Sequence, residues 1–233
     1  LLFGDKYRVK IATRNVNIPG IQNFRDLGGY PSYSTKKQVR WGMIYRSAEI
    51  DSLECYSRRE LRNLGIKTLI DLRASSETGR QSPLQKEFNV VHIPLATGDM
   101  ENILKGIREE KIKSDTVYRM VEQMNRDLID KYTTEYRQIF DILLDKNSYP
   151  VVIHCSSGKG RTGIVSALVL AALGINEDII MEDYRLSNDY FNIPSASKDA
   201  YQLPARSQEA ITTLFSARED FLNAAKEEAE RRY

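Results

Sequence analysis

Residues 151–163 read Val-Val-Ile-His-Cys-Ser-Ser-Gly-Lys-Gly-Arg-Thr-Gly, and this stretch constrains the fold more than any other. A β-branched apolar run ends in His154-Cys155, and a glycine-rich turn follows. Residues 164–173 are then apolar nearly all round, the pattern of a buried helix. Strand, tight loop and helix together aim backbone N–H groups and a helix N-terminus at an anion. Five residues separate Cys155 from Arg161, and Thr162 follows at once. A thiolate in such a cradle can attack phosphorus, and an arginine fork can clamp two phosphate oxygens. The helix terminus and Arg161 should lower the Cys155 pKa from about 8.5 into the range of roughly 3.5–7.5 that activated cysteines show.

Each residue of the loop then has an expected part. Cys155 is the candidate nucleophile, forming a thiophosphoryl enzyme that water cleaves in a second step. Arg161 and the N–H groups of Ser156, Ser157, Gly158, Lys159 and Gly160 would bind the phosphoryl oxygens. Thr162 can hydrogen-bond the sulfur and ease its departure. His154 is expected to orient the loop from behind. Lys159 either adds a second cation, suited to a substrate with further phosphates, or points to solvent.

The same stretch resembles the signature of cysteine-dependent tyrosine and dual-specificity phosphatases: His-Cys, five residues, Arg-Thr. Other segments are similar to a bacterial tyrosine/lipid phosphatase family: Asn23-Phe24-Arg25-Asp26-Leu27-Gly28-Gly29-Tyr30, Tyr45-Arg46-Ser47, Ile70-Asp71-Leu72-Arg73, residues 132–137, and Asp183-Tyr184 with Ser187-Asn188-Asp189. The resemblance spans roughly residues 15–190 and implies an α/β fold, a central mostly parallel sheet flanked by helices. It also implies an upstream aspartate as proton donor. Asp99, after His92-Ile93-Pro94-Leu95, is the candidate, with Glu135 and Asp71 in reserve. Some bacterial relatives carry Asp just before the arginine, where this chain has Gly160, which shifts the weight to Asp99.

The 233 residues suit a single domain, 1–233, with a helical insertion at about 100–130. That insertion is either a packed helix pair or a lid over the site; the pattern leaves both open. Elsewhere, residues 7–16 and 39–46 read as strands, and Ser57-Arg58-Arg59-Glu60 as a capping box. Residues 76–86 and the Pro194–Pro204 region read as loops, and residues 206–232 as one helix. Arg25 and Asp26 read as an ion pair shaping their loop, with Arg25 at the phosphate site as the alternative.

A net charge of +2 gives no case for nucleic acid. No apolar run reaches the ~18 residues of a membrane span. Neither the two cysteines nor the two histidines form a metal pattern, so no cofactor or metal is expected. Cys155 reads as free and Cys55 as a plain small residue. The chain opens Leu1-Leu2-Phe3, which suits a trimmed product, cytoplasmic or exported after loss of a signal peptide.

The expectation is a metal-independent phosphomonoesterase acting on phosphotyrosine, with phosphoserine/threonine or phosphoinositide open as further substrates. An inositol polyphosphate phosphatase is the alternative within the class. A weak phosphate-binding module and a sulfurtransferase are the alternatives outside it. An intact Cys155, Arg161 and Thr162 speaks against the first, and the five-residue spacing against the second.

Overall fold

The computed structural model describes residues 2–3, 7–8, 12–51, 53–78, 83–197 and 200–233. Its centre is strand β9 (Val151–His154), fully buried along its length. A strand buried on both faces is what the unbroken Val-Val-Ile run dictates. β9 lies between β6 (Ile44–Ser47) and β7 (Thr68–Asp71), parallel to both. β8 (Asn89–His92) continues the sheet beyond β7, and β3 (Arg25–Asp26) closes the other edge antiparallel to β6. The order is β3-β6-β9-β7-β8, a mostly parallel sheet flanked by helices.

Helix α1 (Cys55–Asn63) links β6 to β7. Three helices, α2 (Met100–Arg108), α3 (Ser114–Lys131) and α4 (Thr133–Leu144), separate β8 from β9. Helix α5 (Gly160–Ala172) leaves the loop after β9, and α6 (Glu177–Arg185) and the short α7 (Ser187–Tyr190) and α8 (Ile193–Ala196) follow. Helices α9 (Ala205–Phe215) and α10 (Glu219–Arg232) complete the chain. Asn176 caps α6, its side chain accepting from the Asp178 N–H.

Two apolar clusters cover the two faces of the sheet. One includes Leu72, Ile153 and Ile164; the other includes Phe24, Leu69 and Val152. A third cluster joins Ile103, Ile107, Val117 and Val121 of α2 and α3 to Ala210, Ile211 and Leu214 of α9 and Phe221 of α10. The helices expected as an insertion therefore pack on the C-terminal pair.

Several local expectations change. Tyr7–Arg8 (β2) pairs with Leu2–Phe3 (β1), residues 9–11 lie outside the described residues, and Asn15 makes a lone bridge to Arg25. The 39–46 strand starts only at Ile44, because the Asp26 carboxylate takes the Gly42 N–H and turns the chain. Lys37–Gln38 (β5) pairs instead with Pro31–Ser32 (β4). Ser57 is not a cap: Glu54 precedes α1, and the Ser57 hydroxyl donates to the Pro19 carbonyl from inside the helix.

In the segment read as a loop at 76–86, residues 79–82 lie outside the described residues and Pro83–Lys86 forms a 3-10 turn. The Pro194–Pro204 region holds α8 and a further 3-10 turn at Ala200–Gln202. The single C-terminal helix is two helices. Asn188 takes the Ala217 N–H and donates to the Ala217 carbonyl, so a side-chain amide replaces the helical partners at the break.

Candidate active site

The site forms where β9 ends and α5 begins, outside the carboxyl ends of the parallel strands. Cys155 is buried at the floor of a cavity of about 350 Å³. Gly158 turns the loop with φ of +66°, and a side chain there would run into the Ser47 carbonyl of β6. Only glycine allows the loop to lie this close to the neighbouring strand. The turn leaves the Thr162 and Gly158 N–H groups on the sulfur.

Burial alone would raise the Cys155 pKa. The Arg161 charge, the Thr162 hydroxyl and those two N–H groups outweigh it and lower it. Thr162 Oγ1 is buried beside the Cys155 sulfur.

A buried charge network holds the loop from behind. Arg46 donates to Asp183 Oδ2 (2.6 Å) and to the Gly158 carbonyl (2.8 Å). Arg25 donates to Asp183 Oδ1 (3.2 Å), the Asp183 carbonyl and Ser187 Oγ. Tyr30 donates its hydroxyl to Asp183 Oδ1 (3.0 Å). Asn23, at φ of +57°, donates to the carbonyls of Ser157 and Gly158, and accepts from Arg25. Asn is among the few residues that tolerate this backbone region.

The loop carbonyls of Ser157 and Gly158 are thus bound behind, while the Gly158 and Thr162 N–H groups meet the sulfur. Two arginines share one aspartate, so the network also places one unbalanced positive charge behind the loop. The Asp183 carboxyl, which burial would raise, is held below its usual range by Arg25 and Arg46. Burial and Arg46 together bring Arg25 down to about 10.

Arg25 and Asp26 do not pair with each other. Neighbours on a strand point to opposite faces. Arg25 therefore meets Asp183, while Asp26 accepts from the Gly28 and Gly42 N–H groups. His154 is buried, and burial lowers its pKa to about 4 against the pull of Asp71, so it is neutral at pH 7. Its Nδ1 lies 4.0 Å from Asp71 Oδ1, and Asp71 is itself bound by Arg73.

Lys159 does not point to solvent. It is 6% exposed, and its ammonium donates to the carbonyls of Leu214 (2.6 Å) and Ser216 (2.9 Å), at the C-terminus of α9. Burial lowers its pKa to about 7, opposed by Cys155. The loop is thereby tied to the C-terminal helices.

Arg161 faces a carboxylate. Glu77 meets it in a fork, with Nη1 to Oε2 at 2.5 Å and Nη2 to Oε1 at 2.8 Å, and also accepts from Ser156 Oγ (2.6 Å). Burial works against the Glu77 carboxylate, but the Arg161 hydrogen bonds and charge bring its pKa down to about 2. A phosphate monoester would present the same two-oxygen fork to this guanidinium.

Asp99 stands apart. It is exposed, caps α2 by accepting from the Asn102 N–H and side-chain amide, and is absent from the cavity lining. Glu135, in the first turn of α4, is absent from the lining too. The carboxylates that line the cavity are Glu49 and Glu77. Burial and the nearby Asp51 raise the Glu49 pKa.

A model described as the tyrosine phosphatase family matches residues 16–233. The chain belongs to the tyrosine phosphatase family. It is 32% identical over 220 residues to the triple specificity protein phosphatase PtpB of Mycobacterium tuberculosis, covering 85% of this chain and 75% of that one. It is 26% identical over 148 residues to a tyrosine-protein phosphatase of Nostoc commune, covering 62% and 48%. Among solved structures, P. aeruginosa TpbA in complex with pTyr matches at a TM-score of 0.35 and 16% identity, covering 74% of this chain and 86% of that one. Membership makes this chain a phosphoric monoester hydrolase. Among the described residues, no helix is long and apolar enough to cross a membrane.

Sequence reasoning missed Glu77, Glu49 and the use of Asp183. Glu77 and Glu49 sit in polar turns with no pattern to mark them. Asp183 was legible only as part of a resemblance; a carboxylate in a helix with an apolar face at Tyr184 was the one local signal.

Proposed function

We propose that the protein hydrolyses phosphotyrosine by nucleophilic catalysis at Cys155. The Sγ thiolate attacks phosphorus, the P–O bond breaks, and the leaving oxygen takes a proton. Water then attacks the phosphocysteine, the S–P bond breaks, and the sulfur leaves as thiolate beside Thr162. Arg161 and the loop N–H groups from Ser156 to Gly160 stabilise the equatorial oxygens throughout. His154, Arg25 and, through the Gly42 turn, Asp26 hold this loop and its neighbours in place. The observation that carries this reading is the buried Cys155 on the cavity lining, with Arg161 beside it and the Gly158 and Thr162 N–H groups on its sulfur.

The proton donor in this proposal is Asp99, which must leave Asn102 and move inward with the start of α2 to act. Substrates extend to phosphoserine/threonine and phosphoinositides, in keeping with the triple specificity named for the mycobacterial relative. No resident metal enters any step.

Cys155→Ser should reduce turnover of an aryl phosphate to background while vanadate still binds, as measured by calorimetry. Turnover of the unaltered enzyme should survive EDTA. Substantial activity in the serine variant, or loss to EDTA restored by a divalent metal, would overturn the mechanism.

A further inference from the structure

The cavity above Cys155 has a polar floor and an apolar roof. Met100 and Leu104 of α2 and Val121, Met124 and Leu128 of α3 form that roof. Asn125 interrupts it. It lies on the same face of α3 as Val121 and Leu128, four residues after one and three before the other. It is 4% exposed, and its side-chain amide makes no hydrogen bond among the described residues. Its side chain lines the cavity.

An amide on a helix face that leucine would fill better is suited to pairing with a polar group of the cavity's occupant. The only cations lining the cavity among the described residues are Lys159, at the end of the floor loop, and Arg161, in the first turn of α5. The roof therefore adds no cation for a second phosphate, and an inositol ring would find its polar partners at the floor loop and not against Met100, Leu104, Val121 and Met124. A phenyl ring would bury its faces there. An amide donor and acceptor together complement a peptide group, which offers one of each.

We propose that Asn125 is a specificity-determining residue that hydrogen-bonds the main chain beside a phosphotyrosine whose ring lies under the α2–α3 roof. This rests on the phosphatase reading above and adds the part of the substrate beyond phosphorus.

The test compares kcat/KM for two aryl monoesters, N-acetyl-phosphotyrosine amide and phenyl phosphate. Both place a phenyl ring under the roof, and only the first carries peptide groups. Asn125→Leu should lower kcat/KM about tenfold on the amide, the scale of one hydrogen bond, and by less than twofold on phenyl phosphate. Asn125→Ala, which adds no volume, serves if the leucine variant folds poorly by thermal melting. An equal loss on both substrates, or no loss on either, would assign Asn125 to structure and overturn the proposal. A loss confined to an inositol phosphate run in parallel would overturn it in favour of a hydroxyl-bearing substrate. If the unaltered enzyme turns over phenyl phosphate and Cys155→Ser does so equally well, the phosphatase reading itself fails, which is a separate result.

Discussion

Glu77 occupies the Arg161 fork, so in the proposed reaction substrate phosphate must compete with it. Glu77→Gln keeps the side-chain length and one acceptor oxygen but removes the charge. The drop of the Glu77 pKa from 4.5 to about 2 corresponds to about 3 kcal/mol of preference for the paired carboxylate. The side chain is 27% exposed, and solvent screening brings the usable part to roughly 1–2 kcal/mol. Phosphate and vanadate should therefore bind about 5- to 30-fold tighter to the variant.

The measurement is competitive inhibition of aryl phosphate turnover by each anion, with thermal melting as a check on folding. The sign of the pH effect follows from the lowered pKa. Glu77 stays ionised above about pH 4.5, and its pairing is lost only as pH falls towards about 2. The gain in anion affinity should therefore be the same at pH 5 and pH 8. An unchanged or weaker inhibition constant would refute competition and make Glu77 part of the substrate's own binding.

The remaining expectations concern the network, the proton donor and acid stability. Asp183→Ala leaves Arg25 and Arg46 buried without their shared partner, so denaturant melts should show a loss of about 3–5 kcal/mol; a loss under 1 kcal/mol would mean the network does not hold the loop. Asp99→Asn should slow phosphotyrosine, with its poor leaving group, by ~10²–10⁴ but a nitrophenyl phosphate much less. If Glu49→Gln shows that leaving-group dependence instead, the acid is at the cavity rim and Asp99 is only a helix cap. His154 has a folded pKa of about 4, so the unfolded chain alone takes up its proton between about pH 6.5 and 4. Stability should fall by up to about 3 kcal/mol across that window, and His154→Gln should flatten this slope; an unchanged slope would place the titration elsewhere.

Residues 151–173 settle the strand, the loop and the helix by themselves, because each depends on local chemistry: β-branched residues for a buried strand, Gly158 for a left-handed turn, an apolar run for a covered helix. The cysteine and arginine spacing is likewise local and is read directly along the chain. The break at Ser216-Ala217-Arg218 was not, because its cause is Asn188, 29 residues away. Nor were the partners of the charges. Arg25 reads as the mate of Asp26 in sequence and meets Asp183 in space, 158 residues on, since adjacent strand residues face opposite ways. Lys159 could be expected at the pocket or in solvent, and only the docking of α9 gives its ammonium two carbonyls. Glu77 on Arg161 depends on a loop 84 residues upstream folding over the cradle. Local conformation follows from neighbours along the chain, whereas a charge is satisfied by whatever the packed fold brings within 3 Å or so, and that only the tertiary structure decides.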